Sequence, residues 1–301
     1  MIAYLFAGQG TQHRDMGAEM IRSGRTAAIL YEQISDLLGY DPSRLDDDKL
    51  AMTAYAQPAV FACSLAAWSL YRERNAMDEP ALFAGFSLGE YAAMTASGAL
   101  SLPDAVRLVA SRAQWMQEAC LAHPGSMAAV LGLQAEDIQA ALRAAGLEER
   151  VVLANHNAPL QSVIAGSSQD VRQAGDALKE AGARRVVPLA VSGAFHSPFM
   201  AEAAAGLRSA FADLLLSETT RGTLYSNVFA APLLPSLHSR PDPSFAAYLE
   251  LHMTRPVRWV EEVIALHEAG AVTYVECGPG KVLAGLVGKI LPGTSVAQAV
   301  E

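Results

Sequence analysis

Cysteine is scarce in this chain, and its three copies, Cys63, Cys120 and Cys277, stand far apart. They offer neither the close spacing of a metal site nor the even number of a disulfide framework, which fits a reducing compartment and predicts no bound metal. Positive charge is also short. Against 31 Asp and Glu there are 22 Lys and Arg, a net charge of −9. That balance argues against non-specific nucleic-acid binding, and an acidic partner would have to meet a local basic patch. No apolar run reaches membrane-spanning length. The longest, Ala59 to Tyr71, contains Ser64 and Ser69 and reads as a core helix. The first residues lack a basic segment followed by a long apolar stretch, so no signal peptide is expected and the cytoplasm is the expected compartment. Internal repeats and low-complexity tracts are missing too. What is present is a chain of 301 residues, 51% hydrophobic and 18% charged, enough for one large domain or a domain with an insertion.

Within that chain the pentapeptide Gly85-Phe86-Ser87-Leu88-Gly89 carries the most information. The run before it, Ala81 to Ala84, is short and apolar and reads as a buried strand. The run after it, Leu88 to Ala96, reads as a helix. A Ser between strand and helix with Gly on both sides has the form of a nucleophile elbow. Such a turn exposes the serine oxygen and aims the first helical N–H groups at developing negative charge. The alternative is a tight turn with an idle Ser.

The rest of the chain alternates. Ile2 to Phe6 reads as a strand ending in Gly8-Gln9-Gly10, where two glycines leave the Gln9 backbone open to a ligand. Helical periodicity covers Met16 to Leu38. Gln57-Pro58 reads as the opening of a helix, and Pro103-Asp104 starts another that runs to about Cys120. At His123-Pro124-Gly125 the character changes. Ser126 to Leu133, Val151 to Ala154, Ser162 to Ala165 and Arg185 to Leu189 read as strands. Helices fall near Glu136 to Ala145 and Ser168 to Ala181. That order is the split βαβ pattern, expected as an inserted subdomain over 126–190. Pro232, Pro235, Pro241 and Pro243 mark an irregular loop, and Val272 to Glu276 reads as a strand.

A serine nucleophile needs a base. Of the seven histidines, His196 has the most suggestive setting, Gly193-Ala194-Phe195-His196-Ser197-Pro198, a glycine-containing loop leading into a helix start. It is either that base or a satisfied structural histidine, and no acid obviously orients it. Arg112 is the odd residue. On its helix Ala105, Leu108, Val109, Met116 and Ala119 form an apolar stripe, and Arg112 lies in the middle of it. A guanidinium facing a core needs an anion. The anion is either a protein carboxylate or the carboxylate of a substrate, for which arginine is the better clamp.

At this point five separated stretches resemble the malonyl-CoA:acyl-carrier-protein transacylases and the related acyltransferase domains of polyketide synthases. They are Phe6 to Gln12, Gly85 to Tyr91, Arg112 to Ala119, Gly193 to Met200, and Val275 to Leu283, in the family's order along essentially the whole chain. The resemblance implies that Ser87 takes the acyl group from coenzyme A, with His196 as base and later acid. It implies an oxyanion hole from the backbone N–H groups of Gln9 and Leu88, and a malonyl carboxylate held by Arg112. It implies that a main-chain carbonyl steadies the histidine, here from His252, where many relatives have Gln. Gln57, Asn155 and Asn157 match polar residues lining the site in relatives. Phe195 before the histidine resembles the malonyl-selective pattern, leaving little room at the α carbon. Ala7 replaces the usual Pro. Phe86 replaces the usual His and is expected to change acyl selectivity or turnover.

The implied fold is an α/β-hydrolase-like subdomain, 1–125 and 191–301, interrupted by a ferredoxin-like one over 126–190. The implied partners are an acyl carrier protein and a coenzyme A thioester, malonyl-CoA being a substrate and no cofactor being needed. The chain is expected to be a monomer that binds neither nucleic acid nor membrane. Lys179, Arg184, Arg185, Lys281 and Lys289 are the candidates for a basic surface. Two other classes compete: a serine acyl hydrolase or thioesterase sharing the elbow, and a non-catalytic carrier-protein-binding subunit.

Overall fold

A computed structural model describes residues 1–75, 81–191 and 193–300. Among the described residues ten strands form two sheets: β1 (Ile2–Phe6), β2 (Ala81–Gly85), β3 (Ser126–Leu131), β4 (Val151–Ala158), β5 (Gln161–Gly166), β6 (Arg185–Pro188), β7 (Gly222–Ser226), β8 (Ala231–Pro232), β9 (Thr273–Cys277) and β10 (Val296–Gln298). The larger sheet has the order β10-β9-β1-β2-β7-β8. It is parallel except for the β7–β8 pair at one edge. Parallel strands are covered on both faces, so they read as continuous apolar runs. β1 shows this directly. Ile2, Tyr4 and Phe6 enter one core with Val60, Phe61, Val109 and Met116. Ala3 and Leu5 enter another with Trp259, Val263, Leu286 and Val287.

The smaller sheet is antiparallel, ordered β4-β5-β3-β6. With the helices Ala135–Ala144 and Ser168–Glu180 between its strands, this is the ferredoxin-like topology. Ala128, Val130 and Ile164 face those helices. Met127, Val163 and Ala165 turn the other way, into the large core. The fold is therefore the α/β-hydrolase-like body with a ferredoxin-like unit that the sequence led us to expect. A parallel bridge from Asn155 to Val257 ties the two together, with the His156 N–H donating to the Val257 carbonyl at 2.9 Å. Among the described residues no helix is long and apolar enough to cross a membrane.

Three local readings are corrected. The periodicity of Met16 to Leu38 is split at Gly24 into the helices Met16–Ser23 and Arg25–Leu38, because chain direction changes there without loss of the apolar period. The helix predicted to open at Gln57 starts earlier, at Thr53, and carries Pro58 inside it. Burial of nearly every residue over that stretch offsets the lost hydrogen bond. The proline-rich segment is partly regular: Pro232 lies in β8 and Pro235 in the helix Leu233–His238.

The elbow is packed backbone against backbone. A Cβ on Gly85 would lie 2.0 Å from the carbonyl carbon of Gly89, and a Cβ on Gly89 would lie 2.0 Å from the Phe6 carbonyl oxygen. Both neighbours are backbone and cannot swing aside. Gly285, on the helix Val282–Ile290, faces open space. Gly89→Ala should therefore destabilise the fold by about 3 kcal/mol or more, and Gly285→Ala should stabilise it by about 0.5–1 kcal/mol. Urea midpoints of the two variants test this pair; equal midpoints would refute the close-approach argument.

Candidate active site

Ser87 sits between β2 and the helix Gly89–Ser97 with φ +50°, in the left-handed region that a non-glycine residue rarely occupies. The turn is tied back to β1 by the Phe86 N–H, which donates to the Phe6 carbonyl at 2.9 Å. His196 also has a positive φ, +54°. These two strained residues meet: the Ser87 Oγ is 2.7 Å from the His196 Nε2. The other ring nitrogen, Nδ1, lies 3.2 Å from the Arg255 carbonyl oxygen. A carbonyl only accepts, so Nδ1 carries the proton and Nε2 is left to accept from the serine hydroxyl.

The carbonyl at this distance is that of Arg255, and the His252 carbonyl, the one expected to steady the histidine, acts on the same ring. The reason is local. Arg255 precedes Pro256, which forces it out of the helix Phe245–Thr254 into extended backbone, and that rotation turns its carbonyl toward His196. The His252 side chain has other partners, Tyr91 Oη at 3.2 Å from Nδ1 and Glu90 Oε2 at 3.5 Å from Nε2.

Arg112 is 1% exposed, on the buried face of the helix Leu102–Ala122. Its Nη1 donates to Gln57 Oε1 at 2.6 Å and its Nη2 to Ser87 Oγ at 3.3 Å. Its guanidinium carbon lies 5.3 Å from the centre of the Tyr91 ring, a cation–π contact. Among the described residues no carboxylate comes within ion-pair distance of it, and its Nε has no hydrogen-bond partner. The protein-carboxylate alternative is thus unfilled, and a buried cation points its donors at the nucleophile.

Gln57 links this arginine to the first glycine loop. Its Nε2 donates to Gln9 Oε1 at 3.2 Å, and Gln9 Nε2 donates to Thr53 Oγ1 at 3.3 Å. Among the described residues the amide N–H groups of Gln9 and Leu88 have no protein acceptor. Leu88 is the N-cap of the elbow helix, where an unpaired N–H is available to an anion. Asn155 lies opposite Val257 in the bridge, whose hydrogen bonds are made by its neighbours Ala154 and His156, and Asn157 lies on the same strand with a buried Oδ1 left unpartnered among the described residues. Neither is hydrogen-bonded to Ser87, His196 or Arg112. Phe195 is buried next to His196 in the large core. Phe86 points away from that core, with its ring 5.5 Å from Trp259 in an edge contact.

Sequence reasoning missed what lies beneath the elbow. Asn227, 1% exposed, accepts the Ser87 N–H on Oδ1 at 2.6 Å, and its Nδ2 donates to the Gly85 carbonyl and to Glu262 Oε2, both at 2.7 Å. Its own N–H donates to Glu90 Oε2 at 2.8 Å. Glu90 also accepts from Tyr248 Oη, which lies 2.7 Å from Ser226 Oγ. Burial, with Glu90 behind it, pushes the Glu262 carboxyl well above the usual carboxylate range. The available signal was a polar pair, Ser226-Asn227, at the end of a strand, which is no more than many loops carry.

A profile for the acyl transferase domain matches residues 3–292. The chain belongs to the acyl transferase family. This acyltransferase is 38% identical over 294 residues to a malonyl CoA-acyl carrier protein transacylase of Bacillus subtilis, covering 96% of this chain and 90% of that one. Its fold matches an acyl carrier protein S-malonyltransferase from Vibrio cholerae with TM-score 0.90 at 34% identity, covering 100% and 97% of the two chains. It also matches a malonyl-transacylase solved in complex with its type II PKS acyl-carrier protein, with TM-score 0.89 at 34% identity, over 99% and 95%.

The electrostatics give a testable pH profile. Burial, with the His252 ring and the Arg112 charge behind it, pushes the His196 imidazole down to about 3, against the opposing pull of the Arg255 and His252 carbonyls. A base works in its neutral form, which persists above that value. The free-enzyme profile, kcat/KM for acylation, should therefore stay level from about pH 8 down to about pH 5, with no break near the ordinary histidine value. A break near pH 6.5 in stopped-flow acylation would show that the imidazole is solvated.

Proposed function

We propose that this protein transfers a malonyl group from coenzyme A to the phosphopantetheine thiol of an acyl carrier protein, through a malonyl ester on Ser87, for fatty-acid or polyketide synthesis. The observation that carries the reading is Arg112: a buried guanidinium 3.3 Å from the serine oxygen, with no carboxylate among the described residues within ion-pair distance. The free carboxylate of a malonyl group bound at Ser87 supplies the missing anion and satisfies the planar fork.

The steps follow from the geometry. The Ser87 hydroxyl gives its proton to His196 Nε2 as its oxygen attacks the thioester carbonyl. The new oxyanion is received by the Gln9 and Leu88 N–H groups. The carbon–sulfur bond breaks, and the proton returns from Nε2 to the departing coenzyme A sulfur. In the second half the carrier thiol gives its proton to Nε2 and attacks the ester, and the serine oxygen leaves and is reprotonated. Two easier exchanges replace one difficult one. The chain's own groups supply each proton transfer, and malonyl-CoA enters only as substrate. The cytoplasm is the compartment that suits this chemistry.

Of the basic residues considered for the carrier surface, Lys179 is engaged with Asp176 at 3.1 Å, and Lys289 reaches Gln161 at 2.8 Å across the two units. Lys281 is exposed at the start of the last helix, and Arg184 and Arg185 lie at the start of β6.

Brief incubation with malonyl-CoA should add one malonyl group, and peptide mapping should place it on Ser87. Arg112→Ala should lower malonyl transfer by several kcal/mol, roughly 10²–10³-fold or more, and acetyl transfer far less. Arg112→Lys should rescue poorly. The deciding measurement is the ratio of malonyl to acetyl specificity constants. A ratio that stays constant while both fall would make Arg112 a structural residue and remove the reading's main support.

A further inference from the structure

We propose that Asn227 is the positioning residue of the nucleophile, its side-chain amide standing in for the peptide group that β7 no longer supplies to the elbow. The ladder between β2 and β7 pairs Ala81 with Gly222, Leu82 with Thr223 and Phe83 with Leu224, and goes no further. Beyond it the chain of β2 must turn through Ser87 held by β1 on one side only, with no β7 pairing on the other. The Asn227 amide takes over at that point. It bridges the Gly85 carbonyl, two residues before the nucleophile, and the N–H of the nucleophile itself. The orientation of the amide is fixed, because the carbonyl only accepts and the N–H only donates.

Asn227 is itself held at every polar atom. Its N–H goes to Glu90, its carbonyl accepts the Arg258 N–H at 3.1 Å, and its second Nδ2 hydrogen goes to Glu262. The groups facing it are Glu90 from the elbow helix, Glu262 from the helix Trp259–Glu268, and, behind Glu90, Tyr248 and His252 from the helix Phe245–Thr254. Two consequences follow. The Ser87 N–H is occupied, so it cannot serve the oxyanion, and that work is left to Gln9 and Leu88. The positive φ of Ser87 is also over-determined, since relaxing it would break a buried hydrogen bond. The aim of Oγ at His196 is then set from below by an amide that never touches substrate. This rests on the reading that Ser87 is the malonyl acceptor.

The test uses Asn227→Leu and Asn227→Asp in the full chain, with single-turnover acylation by malonyl-CoA read by intact mass. Malonyl-CoA binding is measured in parallel on a Ser87→Ala background. Asn227→Leu should lower acylation on the order of 10²-fold, with binding changed less than about threefold, because the loss is one of alignment. Asn227→Asp is the conservative rescue. Its protonated carboxyl keeps one donor for Gly85 and one acceptor for Ser87, and burial beside Glu90 and Glu262 favours that protonated form. It should acylate within about threefold of wild type near pH 6 and fall away as rising pH ionises it, while wild type stays level. Near-wild-type acylation by Asn227→Leu would overturn the proposal. Where Asn227→Leu does not fold, a folded Asn227→Asp that is slow at every pH would overturn it as well. Wild type that takes no malonyl group would instead overturn the function proposed above, so the two failures are distinguishable.

Discussion

The turn at Ser87 depends on one constraint: backbone must pass within contact distance of backbone on both sides of a residue held at positive φ. Gly85 packs on Gly89, and Gly89 packs on the end of β1. β1 is central in its sheet, paired with β2 on one side and β9 on the other. The strained residue thus rests on a strand that is paired along its whole length on both sides. Strain of about 1–3 kcal/mol per residue persists only where the surroundings over-determine it, and here the sheet, the two glycines and the Asn227 amide all do so.

Charge is distributed around that turn unevenly. Above it, the described contacts of Arg112 are neutral: Gln57, Tyr91 and the serine oxygen. Below it, Glu90 and Glu262 are buried close together, and burial and that neighbour push the Glu262 carboxyl well above the usual carboxylate range. Neutral His196 lies between the two groups. A site arranged this way has its unmet demand for an anion on the open side only. A neutral acyl group would leave that demand unmet, and a carboxylate one carbon beyond the thioester would satisfy it.

Features that repeat along the chain or sit in one short peptide were legible in the sequence. The elbow is written in five consecutive residues. Arg112 betrays itself by breaking an apolar period of 3.6, and the ferredoxin-like unit by the order of its strands and helices. Contacts made by backbone, or across long stretches of chain, were not legible. Any residue has a carbonyl, so finding that of Arg255 at the ring beside that of His252 required knowing where the helix before Pro256 ends. Asn227 reaches Ser87 across 140 positions, and an Asn after a strand looks the same whether it caps a turn or braces a nucleophile. Phe86 shows the same limit. Its place in the elbow suggested the pocket edge, and only the fold shows that its ring packs on Trp259 and beside Gly8 of the first glycine loop.

The segment from Arg255 to Val257 performs two tasks within three residues. At one end its carbonyl holds the His196 imidazole, and at the other its backbone is pinned to β4 of the small sheet. The strap that fastens one unit to the other is therefore also the strap that aims the base. Tilting the small sheet against the large one pulls on the same peptide that keeps the proton on Nδ1. Cleft width and basicity are in this way mechanically geared, with the pre-proline peptide as the tooth between them.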